Sequence, residues 1–151
     1  MALAAGTGPI ERSSQSPGRK LPSIVEREPA AKPRRGRIAL VESDDLIRAL
    51  VERWLGEEGF SMTRMTIEEL KSGNGIDLIV ADVPSPRGAA PLIRTLQAAH
   101  AAPLLLISAR LRRGQGASAT LARQLGVAAV LPKPFTRDEL LGAVARALAP
   151  L

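Results

Sequence analysis

Short, unbroken apolar runs alternate with stretches of helical spacing from Ile38 onward. Ile38 to Val41, Leu78 to Ala81, Pro103 to Ile107 and Val127 to Leu131 are runs of four or five residues. Runs of that length and composition read as strands buried on both faces. Phe60 to Met65 alternates loosely and suits a shorter second strand. Between them, Leu46, Ile47, Leu50, Val51, Trp54 and Leu55 recur at helical spacing, with Arg48, Glu52 and Arg53 on the other face. Gly59 is a natural residue to end that helix. Thr66-Ile-Glu-Glu69 and Thr136-Arg-Asp-Glu139 are capping boxes. They open a brief helix to about Lys71 and a last helix through Leu140, Leu141, Val144 and Leu148. A third helix runs from about Ala90 to Ala99 with Leu92, Ile93 and Leu96 inward. The basic, glycine-bearing stretch 110–118 delays the fourth to about Ala119, and Gly126 closes it. Five strands alternate with five helices, which predicts an α/β fold with a parallel sheet covered on both faces.

Composition bounds this picture. At 151 residues the chain holds one ordinary domain, and with 2% aromatics its core must be aliphatic. The absence of cysteine excludes a disulfide framework and thiolate chemistry and points to a cytoplasmic setting. The first residues lack the basic and apolar regions of a signal peptide, and no run approaches the ~18 apolar residues of a membrane span. A membrane partner is therefore not expected.

The net charge of +6 is unevenly placed. Residues 1–37 carry eight basic side chains against three acidic ones; the remainder is nearly balanced, with 13 against 12. Basicity thus belongs to an appendage. Residues 1–36 are rich in Pro, Gly and Ser, show no periodicity, and are expected to be disordered, leaving 37–151 as the folded domain. The tail reads as a solvated linker. The alternative is an electrostatic arm for an acidic partner or nucleic acid, for which the tail lacks aromatic stacking platforms.

Each apolar strand ends in a residue of distinct chemistry. Asp82 closes Ile76-Asp-Leu-Ile-Val-Ala-Asp82, and Pro84, Pro86 and Gly88 stop the strand. Glu42, Ser43 and Asp44 follow the first strand, Ser108 the fourth and Lys133 the fifth. A doubly wound parallel sheet brings such strand ends to one edge, where ligands bind. Carboxylates, a hydroxyl and an ammonium at one edge suit phosphoryl chemistry. One carboxylate attacks as nucleophile, a divalent cation held by the others neutralises phosphoryl oxygens, and Lys and the hydroxyl engage the rest. Mg²⁺, a hard ion content with one or two carboxylates plus waters, is the expected cofactor. Taken singly, each residue has a plainer role: Asp82 as a strand end, Ser108 in a turn, Lys133 as a solvated loop charge, Asp44 and Asp45 as first-turn acids of a helix.

From Ile38 to about Leu148 the chain resembles the receiver domain of two-component response regulators. The resemblance rests on Ile-Ala-Leu-Val-Glu-Ser-Asp-Asp45, Asp-Leu-Ile-Val-Ala-Asp-Val-Pro-Ser-Pro86, Leu-Leu-Ile-Ser-Ala-Arg110 and Leu-Gly-Val-Ala-Ala-Val-Leu-Pro-Lys-Pro-Phe135. It implies a flavodoxin-like fold of strand order 2-1-3-4-5 and a phosphoacceptor role for Asp82, supplied by a histidine kinase or phosphotransfer protein. Ser108 matches the switch hydroxyl and Lys133 the phosphoryl-pairing lysine, with a cis bond to Pro134. Glu42, Asp82 and the Pro84 carbonyl match metal ligands. The family uses its first helix for kinase docking, which would involve Leu46, Arg48 and Trp54, although most of these apolar side chains are expected in the core.

Two departures stand out. The resemblance places a second acid where Ser43 stands, and loss of a unit charge there weakens Mg²⁺ binding; Asp44, one residue on, is the candidate to compensate. Val130 replaces the aromatic switch residue. The leading expectation is a non-enzymatic, single-domain phosphoacceptor that signals to a downstream protein. The alternative is a degenerate pseudo-receiver acting as a phosphorylation-independent interaction module. A receiver separated from a hybrid kinase is a further possibility, whereas a nucleotide-binding enzyme lacks its Gly-rich loop after the first strand.

Overall fold

The computed structural model describes residues 35–111 and 117–149. Residues 1–34 of the proposed tail 1–36 and most of the basic stretch after Arg110 lie outside them. The elements are β1 (Arg37–Val41), α1 (Asp45–Glu57), β2 (Ser61–Arg64), α2 (Ile67–Ser72), β3 (Leu78–Asp82), α3 (Ala90–Ala99), β4 (Leu104–Ser108), α4 (Ala117–Leu125), β5 (Ala129–Pro132) and α5 (Arg137–Leu148). A 3₁₀ turn over Arg87–Ala89 leads into α3.

All strands are parallel, in the order β2-β1-β3-β4-β5. Alternate strand residues face opposite helical layers, so β1, β3, β4 and β5 each contribute to two cores. Ile38, Leu40, Leu78, Val80, Leu105, Ile107 and Leu131 meet Val51 and Leu55 of α1 and Leu140 and Val144 of α5. Ala39, Ile79, Ala81, Leu104, Leu106 and Val130 meet Leu70, Ile93, Leu96 and Ala122 of α2, α3 and α4. Double-sided burial explains why these strands read as continuous apolar runs rather than alternating ones. Each fully buried Leu or Ile contributes roughly 1.5–3 kcal/mol.

Both capping boxes form. Thr66 and Thr136 accept from the backbone N–H of Glu69 and Glu139 at 3.1 Å, and those glutamates return the bond at 2.8 and 2.9 Å. Trp54 of α1 meets Phe135 edge-to-face at 6.4 Å between centroids, sealing the space between α1 and α5. Arg64 at the sheet edge forks onto Glu52 of α1, with Nε–Oε2 at 2.7 Å and Nη2–Oε1 at 3.0 Å. That bond, aided by the guanidinium charge, lowers the Glu52 pKa although desolvation opposes it.

Three expectations are corrected. Leu46 is 69% exposed, because it sits one turn outside the Val51–Leu55 seam. Helix α4 begins at Ala117, two residues before the expected start. Arg35 and Gly36, assigned to the tail, are held: the Arg35 guanidinium lies 4.7 Å over the Phe60 ring and 3.6 Å from Glu58, and its N–H donates to Gly59 O. The described fold therefore extends outward past β1 along this strap.

Leu105→Ala deletes a fully buried side chain between β4 and the α1–α5 layer. The expected loss is about 2–5 kcal/mol of unfolding free energy, measured by urea denaturation with an unchanged m-value.

Candidate functional site

The parallel topology sets the site. Val41 pairs with Ala81, so Glu42 and Asp82, the next residues outward, leave neighbouring strands side by side. Asp82 pairs with Ile107 and Ser108 with Pro132, which places Ser108 and Lys133 on the same edge. The backbone bonds Val83 N–H to Ile107 O at 2.9 Å and Lys133 N–H to Ser108 O at 3.0 Å carry the ladder past the strand ends. The peptide bond between Lys133 and Pro134 is cis, as expected.

Lys133 joins the two acids. Its ammonium lies 2.8 Å from Asp82 Oδ1 and 2.8 Å from Glu42 Oε1. The three side chains differ in exposure: 1% for Glu42, 13% for Lys133 and 24% for Asp82. Asp82 is thus the accessible carboxylate, and Glu42 the buried one. Burial alone would lower the Lys133 pKa; the attraction of Asp82 and Glu42 outweighs it and holds the ammonium above the ordinary lysine range. Two carboxylates against one ammonium leave the cluster a net negative charge.

The other strand-end residues divide sharply. Glu42 Oε2 accepts from Asp44 N–H at 3.0 Å, while Glu42 Oε1 is buried with no aligned hydrogen bond and meets only the ammonium charge. Asp44 is the N-cap of α1, its Oδ1 accepting from Ile47 N–H at 3.0 Å. One of its carboxylate oxygens thus serves the helix, and Ser43 before it is exposed. Among the described residues no group of three His, Cys, Asp or Glu side chains is close enough to hold a metal ion. Ser108 is fully buried, and its hydroxyl accepts from Arg110 N–H at 3.1 Å, leaving its own proton to be donated. Pro84 is exposed two residues beyond Asp82, and Pro86 behind it is buried, anchoring the loop.

Arg48 has a role the residue pattern did not single out. Its Nη1 donates to Glu42 O at 3.1 Å and its Nη2 pairs with Asp45. It clamps the turn that aims Glu42. The Asp45–Arg48 spacing of three was the available signal, since such pairs share one helix face.

Comparison with known proteins decides the family. No family model matches the chain. PetR of Rhodobacter capsulatus is 34% identical over 109 residues, covering 69% of this chain and 45% of PetR. The non-phosphorylated HemR receiver domain of Leptospira biflexa superposes with a TM-score of 0.61 at 26% identity, covering 80% of this chain and 97% of that one. The folded unit is a response regulator receiver domain. The receiver domain of the sensor histidine kinase PA1611 from Pseudomonas aeruginosa shares the fold at a TM-score of 0.56 and 23% identity, covering 75% of this chain and 97% of that one; that structure has magnesium in its active-site cleft. The chain spans about half the length of the curated relatives it matches. Its receiver departs from a fully acidic edge at Ser43 and carries buried Val130 in β5.

The lysine clamp makes a pH prediction. Lys133 has a folded pKa above its unfolded value, so its stabilisation is fully present below about pH 10.4 and fades as pH rises through the higher folded value. The chain has no Tyr or Cys, and Lys71 is the other lysine of the described fold, which keeps the alkaline limb simple. In urea denaturation, wild type is expected to exceed Lys133→Met by a constant margin between pH 7 and 9. The margin should shrink above about pH 10.5.

Proposed function

We propose that this receiver accepts a phosphoryl group on Asp82 from the phosphohistidine of a kinase or phosphotransfer protein and signals through protein contacts. The observation that carries the reading is the Asp82–Lys133 contact at 2.8 Å, with buried Ser108 at the adjacent strand end. Asp82 Oδ attacks phosphorus, a P–O bond forms, and the P–N bond breaks with its electron pair left on the imidazole, which takes a proton from solvent. Asp82 is the accessible acid, so it is the one an incoming phosphohistidine can reach. Lys133 pairs with a transferred phosphoryl oxygen, and the Ser108 proton donates to another. Arg48 and the Asp44 N–H keep Glu42 aimed at the same point.

Mg²⁺ fits the residues at reduced strength. The buried Glu42 Oε1 without an aligned hydrogen bond, converging with Asp82 on one cation, is the donor pair such an ion would take, together with the Pro84 carbonyl. When bound, the ion would neutralise phosphoryl oxygens. The uncharged Ser43 removes one unit of negative charge from that pair's surroundings.

A second reading has specific support. Asp44 is committed to its cap, Ser43 is neutral and Val130 is not aromatic, which favours a pseudo-receiver that binds partners without phosphorylation. Exposed Leu46 at the start of α1 suits docking under either reading.

Intact mass after incubation with acetyl phosphate and Mg²⁺ separates the two. The expected result is one phosphoryl adduct on wild type that is absent in Asp82→Asn; no adduct at any Mg²⁺ concentration selects the pseudo-receiver. Ser43→Asp should raise Mg²⁺ affinity by about 1 kcal/mol or more, read by calorimetric titration. Unchanged affinity would mean that the position does not face the ion.

A further inference from the structure

The near balance of charge in the folded domain conceals a division along the chain. Residues 38–82 carry ten acidic and four basic side chains, whereas residues 83–137 carry eight basic ones and no acid. The topology keeps that division in space. The first stretch builds β1, α1, β2, α2 and β3; the second adds β4 and β5 beyond β3 in the sheet, with α3 and α4 as crossovers. Acids of the first stretch are largely engaged: Glu52 by Arg64, Glu57 by Arg53, Glu68 by Lys71, and Glu69 in its capping box. The second stretch leaves guanidiniums free. Arg87, Arg94 and Arg110 are exposed and have no carboxylate partner among the described residues. Pro86, Ala89, Ile93 and Leu96 form the buried stripe of the 3₁₀ turn and α3, and Arg87, Pro91, Arg94 and Ala98 the exposed one. Arg87 and Arg94 therefore share the solvent face, about two turns apart. Asp82 pairs with Ile107, so Arg87 and Arg110 follow adjacent strands at the same edge of the sheet.

We infer that this face, the outer side of α3 with the turn after β4, binds the phosphate backbone of duplex nucleic acid through Arg87, Arg94 and Arg110, without reading its sequence. Three features select that occupant. The free charge on the face is all positive, and the planar guanidinium fork matches phosphate oxygens. The exposed stripe has no large apolar side chain; Leu46, the exposed large hydrophobic among the described residues, lies on α1. The face thus lacks the anchor on which a protein partner or a lipid surface depends. Finally, all three aromatic rings are engaged, Trp54 against Phe135 and Phe60 beneath Arg35. None is left to stack on the bases of a single strand, and a duplex backbone needs none.

The chain's own N-terminal stretch has the same sign as the face, with eight basic against three acidic side chains in residues 1–37. A second copy is also disfavoured, because it offers few carboxylates that are not already engaged with its own arginines and lysines. The inference stands apart from phosphoryl transfer and does not require Asp82 to be phosphorylated.

The test is fluorescence anisotropy of a labelled DNA duplex of about 24 base pairs, titrated with the full, unphosphorylated chain between about 50 and 200 mM NaCl. Three neutralised phosphates give a slope of log affinity against log salt of about −2.7, roughly a fortyfold loss across that range. Arg87→Gln, Arg94→Gln and Arg110→Gln together should make the slope shallower by about that amount and weaken low-salt binding more than about tenfold. The single Arg94→Gln should account for about a third of the change in slope. The basic N-terminal stretch adds its own charge to the total, so the difference between wild type and variant is the quantity that tests the face. A second duplex of unrelated sequence should bind equally. Polyglutamate at equal charge should compete far less, since an extended peptide spaces its charges about twice as widely as a duplex. Thermal melts followed by circular dichroism verify that the variants are folded. No binding at the low-salt end, or one slope shared by wild type and variants, would overturn the inference. So would polyglutamate competing as well as unlabelled duplex, since the face would then belong to an acidic protein, or a clear preference for one duplex, since bases would then be read. Because no phosphodonor is present, failure here is distinct from failure of Asp82 to accept a phosphoryl group.

Discussion

Five short parallel strands, four of them buried on both faces, are the constraint from which everything else follows. Parallel neighbours need crossovers, and each crossover here is a helix that covers one face of the sheet. All strands then end on the same side. Glu42, Asp82, Ser108 and Lys133 come from four strands and up to 91 residues apart in the chain, yet the ladder leaves their backbones a strand spacing apart. Nothing local could place Lys133 Nζ 2.8 Å from two carboxylates. The apolar core does so at a distance, through register.

The exposure gradient within that cluster turns geometry into chemistry. Glu42, Lys133 and Asp82 form an ordered series from buried to accessible. A buried carboxylate that lacks an aligned hydrogen bond on one oxygen would be costly by itself. The Lys133 ammonium offsets that cost, and Arg48 and the Asp44 N–H fix the remaining oxygens of Glu42 and its carbonyl. Asp82 shares the same ammonium but keeps a solvent-facing side. A single lysine thereby stabilises one acid and presents another.

The strands and the strand-end chemistry were legible in the residues because double-sided burial leaves unbroken apolar runs that stop at a charge. The two capping boxes were legible for a similar reason: their signal is local and has one geometry. Legibility failed where tertiary context chose between equal local options. Leu46 fits the helical stripe as well as Ile47 does, and only the direction from which α1 meets the sheet leaves it exposed. Asp44 could have faced a metal or capped α1; the first-turn N–H groups of a helix need an acceptor, and they claimed it. Arg35 looked like one more charge in a basic tail. The ring of Phe60, buried beneath a guanidinium, is a contact across 25 residues that no pattern displays.

Ser43, in the turn after β1, and Val130, in β5, are the two departures from what the resemblance implies. Ser43 puts a neutral, exposed side chain next to Glu42, and Val130 a short, buried aliphatic one in β5. The Lys133 ammonium lies between Glu42 and Asp82, a positive charge that the fold supplies to that edge. Val130 lines a groove between α4 and α5 beside β5. A change at Asp82 can modulate binding at any other face only by the difference it makes between two states of the receiver.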